Sequence, residues 1–320
     1  MLVDFHIHYT PKRIVEEKLK GNSYKLHYSN GVPAYSFHPK LYDLEALVNG
    51  LKMSNVDMAF LSSAAGLEGD LETCRMLNDD LKAQEEKFAG RIKGLAHIPP
   101  LGGKEALSEL ERAVAELGFK GAAIASNIRG MELDSKELWP FYEKVQELGV
   151  FLFVHPSLAL QQADYFNAYD IARSVGREFG LVVCLIRMIN GGVFDAFPSL
   201  RVVMSHLGGG ISALLGRILS YQDKEFWGTQ HDSIHGKTPI RPFKAYFEQI
   251  FFDTGGVVGD VDAVKFALAK FPGQLVFGSD YPQEIRNGET LKEFVEGLYN
   301  ELSPQELRQL EKNVQKVIGE

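Results

Sequence analysis

Cysteine is scarce in this chain. Cys74 and Cys184 are the only two among 320 residues, and they lie far apart. That excludes a disulfide framework and any Cys-x-x-Cys metal or redox motif, and it predicts reduced, buried thiols in a cytoplasmic protein. A basic excess is also absent: 34 Lys and Arg stand against 42 Asp and Glu, a formal charge of −8. Nothing is available to neutralise a phosphate backbone, so no nucleic-acid partner is expected. No apolar run approaches the roughly 20 residues that span a bilayer. The first residues have neither the basic start nor the long apolar stretch of a secretory leader, so no membrane partner is expected. Repeats, low-complexity tracts and Pro/Ser-rich linkers are missing, and residues 1–320 read as a single domain. A Gly-rich phosphate loop is missing as well. The first strand leads into HYTPKRIVEE, which weighs against an open, doubly wound sheet.

What is present is a rhythm of short apolar runs, polar loops and helical patterns. The runs are LVDFHIH, VDMAFLSS, IKGLAHI, FKGAAIAS, GVFLFVHP, RVVMSH, QIFFDTGG and GQLVFGSD. Between them, stretches such as KEALSELERAVAEL and LWPFYEKVQEL place apolar residues at three- and four-residue steps, as a helix packed on one face requires. Eight strands alternating with helices predict an α/β fold, specifically a (β/α)8 TIM barrel. One segment breaks the rhythm. KLHYSNGVPAYSFHP carries Asn30-Gly31, a favoured two-residue hairpin turn, between aromatic strands. A small β insertion over about residues 22–40 is expected, either a lid or surface padding, with His27 and His38 structural or exposed. Near the C-terminus, Ser303, Pro304 and Glu306 spell a capping box for a last helix.

The opening stretch MLVDFHIHYTP sets His6 and His8 one residue apart. Strict alternation along a strand puts Val3, Phe5 and Ile7 on one face, against helices, and the two histidines on the other, facing into the barrel. Two dry imidazoles so close repel when protonated and are costly when unpaired. A shared divalent ion removes both problems. Other run ends add His155 (FVHP), His206 (VMSHLGGG) and Asp280 (FGSDYP), and barrel active sites are built at that rim. Imidazoles with a carboxylate suit zinc or a similar borderline metal. His97 in GLAHIPP is expected to be structural. Asp4 is placed one step below His6 on its face as a hydrogen-bond acceptor, and Asp253 and Thr254 border the pocket. The glycines of HLGGG are read as a tight turn opening a helix whose amides face the site.

These residues resemble the amidohydrolase superfamily. FPSLRVVMSHLGGG followed by GRI, together with VFGSDYP, is similar to the branch containing aminocarboxymuconate-semialdehyde decarboxylase and related aromatic-acid decarboxylases. The resemblance implies that His6, His8, His155 and Asp280 ligate one divalent metal, zinc with manganese as the alternative, and that His206 is the catalytic or water-orienting histidine. Asp280 would share the proton handling. Arg217 falls where a relative sends an arginine to the neighbouring subunit, which implies a homodimer; a solvated helix charge is the alternative. Binuclear members use a carboxylated lysine at the end of strand four. Here Lys120 stands at that strand's beginning, so one metal is expected. Arg129, just past the same strand, could pair with a substrate carboxylate or be a surface charge. The activity implied is a metal-dependent, non-oxidative decarboxylase of a small aromatic or unsaturated carboxylic acid. The alternative is a hydrolase or hydratase of a related lactone, amide or dienoate, in which the metal lowers the pKa of water from about 15.7 to about 7.

Overall fold

The structure is a computed structural model that describes residues 1–29, 31–157, 166–229, 231, 236 and 239–319. It is an α/β fold of parallel strands. In chain order these are β1 (Val3–His8), β2 (Met58–Ser62), β3 (Ile92–Gly94), β4 (Gly121–Ala125), β5 (Phe151–His155), β6 (Arg201–Met204), β7 (Ile250–Asp253) and β8 (Leu275–Val276). Each falls within one of the eight apolar runs. Strands β1–β2–β3 form one parallel sheet and β8–β7–β6–β5–β4 another. At one edge the Phe5 amide donates to the Phe277 carbonyl at 2.9 Å, and at the other the Ala96 amide donates to the Gly121 carbonyl and the Ala96 carbonyl accepts from the Ala123 amide, both at 2.9 Å.

The helices that follow the strands include α1 (Lys12–Leu19), α2 (Leu44–Met53), α3 (Leu71–Lys87), α4 (Gly103–Ala115), α5 (Trp139–Glu147), α6 (Arg177–Asn190), α7 (His206–Tyr221), α8 (Val261–Lys270), α9 (Gly288–Glu301) and α10 (Pro304–Ile318). The expected capping box starts α10: the Glu306 amide donates to Ser303 Oγ and the Ser303 amide donates to Glu306 Oε2. No helix among the described residues is long and apolar enough to cross a membrane.

Two apolar clusters organise the core. The smaller takes side chains from every strand or its immediate flank, among them Val3, Phe5, Phe60, Leu95, Ala123, Phe151, Val203, Phe251 and Val276, and it is finished by Val314 and Val317 of α10. The larger gathers the opposite strand faces, such as Ile7, Leu61, Leu152 and Met204, with the apolar stripes of the helices.

This division corrects the alternation expected for β1. Val3 and Phe5 lie in the smaller cluster and only Ile7 lies in the larger. The cause is a β-bulge. Asp4 pairs with Ala59 and Ile7 with Leu61, so Phe5 and His6 together oppose Phe60. One extra residue reverses the parity, and Phe5, His6 and His8 share a face while Asp4 leaves it. Asp4 is the acceptor that stabilises the bulge: its Oδ1 takes the His6 amide at 2.9 Å and the Ser279 amide at 3.0 Å.

Lys25–Ser29 pairs antiparallel with Val32–Phe37; Asn30, the first residue of the expected turn, lies outside the described residues. Ser36 and Gln283 exchange hydrogen bonds at 2.8 and 3.1 Å, tying this pair to the segment after β8. A second antiparallel pair, Asn127–Ile128 with Met131–Glu132, has no counterpart in the sequence reading. Cys74 and Cys184 are buried and unpaired, as expected, and burial pushes the Cys74 thiol up to about 12.

Candidate metal centre

Five side chains meet where β1, β5, β6 and β8 end. Ring nitrogens of His6, His8 and His155 lie within 4.8 Å of one another, and so do donor atoms of His6, His206 and Asp280. His8 Nε2 is 2.7 Å from Asp280 Oδ1 and 3.4 Å from His155 Nε2. Asp280 Oδ1 is 3.5 Å from His6 Nε2, and its Oδ2 is 3.3 Å from His206 Nε2. All but His155 are less than 9% exposed. Among the described residues, His6 Nε2 and His206 Nε2 are buried without a hydrogen-bond partner. Leaving such groups dry and unpaired costs on the order of 1–3 kcal/mol each. A cation accepting their lone pairs removes that cost, so the donor set fits a metal of the kind that imidazole and carboxylate ligands select.

The electrostatics point the same way. Burial lowers His8, against the pull of Asp280, and burial with the neighbouring imidazoles holds His155 well below its ordinary value. Neutral imidazoles are the form that ligates a metal. Burial would raise Asp280, but His6, His206 and His8 outweigh it and keep the carboxyl well below the usual range. His206 behaves differently from His8 and His155. Burial works to lower it, yet Glu178 and Asp280 push it up to about 10.

Second partners orient each ring. His6 Nδ1 is 3.1 Å from Asp253 Oδ2, and Asp253 Oδ1 accepts the His206 amide at 3.0 Å and the Gly255 amide at 2.7 Å. His206 Nδ1 lies 2.9 and 3.1 Å from the two oxygens of Glu178, at the start of α6. Such contacts fix the tautomer and leave Nε2 facing the centre.

The backbone is bent to make these approaches. His206, Leu207, Gly208, Gly209 and Gly210 all have φ between 51° and 78°. HLGGG is therefore one left-handed turn, and the right-handed part of α7 starts after it, in place of the helix expected to open there. Glycine adopts this turn freely, whereas His206 and Leu207 each carry roughly 1–2 kcal/mol of strain. Asp280 is held at φ 56° as well. Close packing is equally strict: a methyl group on Gly209 would stand 2.0 Å from the Glu178 carbonyl oxygen, and one on Gly256 would stand 2.5 Å from the His206 ring.

A cavity of about 930 Å³ opens above the cluster, with His8, His155 and Asp280 in its floor. Ala34, Tyr35, Ser36 and His38 form one wall, and Arg173, Arg177 and Glu284 another. His38 is half-buried there and lies outside the metal cluster. Arg217 is exposed on α7, its guanidinium 5.1 Å from the Tyr221 ring. Arg129 is exposed, with φ 51° and a contact to the Glu68 carbonyl. Neither arginine lines the cavity. Lys120 precedes β4, at the end away from the cluster. His97 is buried in a structural role, its Nε2 accepting the Ser63 amide at 3.0 Å. Sequence reasoning missed Glu178 and Arg177. Their signal was a charged pair opening the apolar stretch REFGLVVCLI.

The sequence signature of the amidohydrolase family matches residues 3–313. A 2-amino-3-carboxymuconate-6-semialdehyde decarboxylase from Dictyostelium discoideum is 29% identical over 80% of this chain and 72% of its own length. A gamma-resorcylate decarboxylase from Polaromonas sp. strain JS666 is 29% identical over 67% of each chain. A shorter match, 30% identical over 43% of this chain and 40% of its own length, is a 2-keto-4-carboxy-3-hexenedioate hydratase from Sphingobium sp. strain NBRC 103272 / SYK-6. Among solved structures, a dihydroxybenzoic acid decarboxylase from Polaromonas sp. JS666, with bound manganese and the inhibitor 2-nitroresorcinol, superposes with a TM-score of 0.80. It has 21% identity and covers 99% of this chain and 96% of that one.

Proposed function

This chain belongs to the amidohydrolase family, and from that premise we propose that it is a metal-dependent, non-oxidative decarboxylase of a small aromatic or unsaturated carboxylic acid. The observation that carries the reading is the convergence of three imidazoles and one carboxylate, with His206 beside them, of which His8, His155 and Asp280 reach the floor of a cavity within the size range of small-ligand pockets. The decarboxylase relatives support it.

His6, His8, His155 and Asp280 would hold one divalent ion. When bound, that ion is a Lewis acid that draws electron density from substrate oxygens. The remaining work belongs to the chain. In the reaction the bond to the carboxylate breaks, CO₂ leaves, and the electron pair left on carbon takes a proton. Asp280 faces the cavity and His206 stands behind it, with Nε2 3.3 Å from Oδ2. His206 holds the proton at Nε2, Glu178 anchors Nδ1, and Asp280 passes the proton to carbon.

Several finer readings accompany this one. The eight strands form a closed (β/α)8 barrel within a single domain over residues 1–320; the edge hydrogen bonds and the inner cluster fed by all eight strands support closure. The antiparallel pairing of Lys25–Ser29 with Val32–Phe37 supports a hairpin insertion over about residues 22–40 that acts as a lid, with Ala34, Tyr35 and Ser36 lining the cavity. Zinc suits the ligand set, and the manganese-bound neighbour makes manganese the alternative. The exposed Arg217–Tyr221 pair, beside exposed Phe226 and Trp227, supports a homodimer.

A hydrolase or hydratase is the second reading, favoured by the hydratase match. Metal-loaded protein incubated with hydroxybenzoates and muconate-type acids separates the two. The expected result is CO₂ release without incorporation of oxygen-18 from labelled water. Label in the product with no CO₂ released would replace the decarboxylase by the hydratase.

A further inference from the structure

We infer that Arg177 is an anion-recognition residue and that the substrate is a di-acid: besides the carboxylate that is lost, it carries a second anionic group held by this guanidinium. The inference rests on the decarboxylase reading for the reaction, and on the cavity wall for the ligand.

Arg177 lies in that wall, mostly buried, with 17% of its side chain exposed. Its nearest carboxylates are Glu178 and Glu284, both at 3.6 Å, which is ion-pair range and beyond hydrogen-bond length. Its Nε is buried without a hydrogen-bond partner among the described residues. A guanidinium offers five donors in a planar fork that matches a carboxylate bidentately. Here that fork stands in a cavity wall with no hydrogen bond to the described residues, a costly arrangement unless a ligand completes it. Arg173, one turn earlier, differs in this respect: Asp170 already chelates it, with Nε to Oδ1 at 2.8 Å.

The placement suits a second acid group on the same molecule. Arg177 adjoins Glu178, which holds His206, which faces Asp280. The guanidinium is thus separated from the metal ligand by one carboxylate and one imidazole, on the wall beside the floor where the first carboxylate reacts. The cavity, at about 930 Å³, is at the upper end of the roughly 300–1,000 Å³ typical of small-ligand pockets, and a lone hydroxybenzoate would leave much of it empty. The rim adds two cations. Lys40 and Arg286 are exposed there and have no carboxylate partner among the described residues; the Lys40 ammonium donates to the Arg286 carbonyl at 2.6 Å. Glu68 and Asp170 also line the cavity, so the attraction for an anion is local to these two cations.

The test compares salicylate with its 3-, 4- and 5-carboxy derivatives on the metal-loaded enzyme. At least one di-acid is expected to exceed salicylate in kcat/KM by about tenfold or more, the worth of one charge-assisted contact. In Arg177→Gln that ratio is expected to fall toward one. An equal loss on all substrates, with the ratio preserved, would make Arg177 a structural partner of Glu178 and Glu284 and overturn the inference. Calorimetry with isophthalate and benzoate on the wild-type holoenzyme and on the exposed-site variant Arg286→Ala keeps the test open should Arg177→Gln misfold. Isophthalate is expected to bind more tightly, with the margin reduced in Arg286→Ala; equal binding overturns the anion site. Turnover of no compound, with isophthalate still preferred, would overturn the decarboxylase reading and support the anion site.

Discussion

At the scale of single residues, function rests on what each imidazole can reach. His6 touches Asp253, His8, His155, His206 and Asp280 or their rings, so His6→Ala is expected to release the metal and abolish turnover. Elemental analysis of the purified variant checks this, and stoichiometric metal there would remove His6 from the ligand set. Glu178 acts through His206. Glu178→Gln keeps the side chain's shape and removes its charge, so kcat is expected to fall by about 10²-fold or more at nearly unchanged KM, with metal content intact. An unchanged kcat would leave Glu178 without a role in proton handling. Away from the centre, His97 is wholly buried and burial holds it at about 4, below its ordinary 6.5. Between these values the unfolded chain binds the extra proton and the folded chain does not. Stability is therefore full above pH 6.5 and is lost as pH falls toward 4, by about 3 kcal/mol in all. Urea unfolding at pH 7 and pH 5 should show the loss in wild type and a smaller one in His97→Asn. These single-residue roles were unevenly legible. A histidine at a strand end announces itself, whereas Glu178 is joined to His206 only through space.

At the scale of elements, the left-handed turn at 206–210 is the device that aims His206. Gly209 and Gly210 separate conformation from contact. Both have φ above 70°, but a methyl group on Gly210 meets none of the described residues within 4 Å, while one on Gly209 meets the carbonyl oxygen of Glu178 at 2.0 Å. Gly210→Ala is expected to cost about 1–2 kcal/mol, the price of a left-handed alanine. Gly209→Ala adds a backbone collision and should cost clearly more, shifting α6 and the Glu178–His206 pair with it. Thermal denaturation of the two variants, with activity, checks the order; equal destabilisation would remove the close approach as the reason for Gly209. The elements themselves were largely readable. Each apolar run contains its strand, and Ser303 and Glu306 form the cap their spacing implied. The bulge in β1 was not readable, because Phe5 and His6 carry no local mark of an extra residue; the register against Phe60 exists only once β2 is alongside.

At the scale of the whole molecule, the centre joins distant parts of the chain: His6 and His8 from the three-stranded sheet, and His155, His206 and Asp280 from the five-stranded one. An ion held between them cross-links the two sheets. Metal at a hundred times its Kd should add about 2.7 kcal/mol of stability, seen as a higher Tm that chelation reverses; a Tm indifferent to both would place the ion outside this junction. The sequence by itself determined the strand and helix rhythm, because periodicity is a local property of side-chain polarity. It also determined the metal-binding character of the strand ends, because imidazoles and carboxylates are chemically specific wherever they fall. Only the tertiary structure decided which face His6 and His8 share, which carboxylate steadies His206, and that Arg177 rather than Arg129 stands over the cavity. Those are distances between residues far apart in the chain, set by strand register, a bulge and close backbone approach, and no local pattern encodes them.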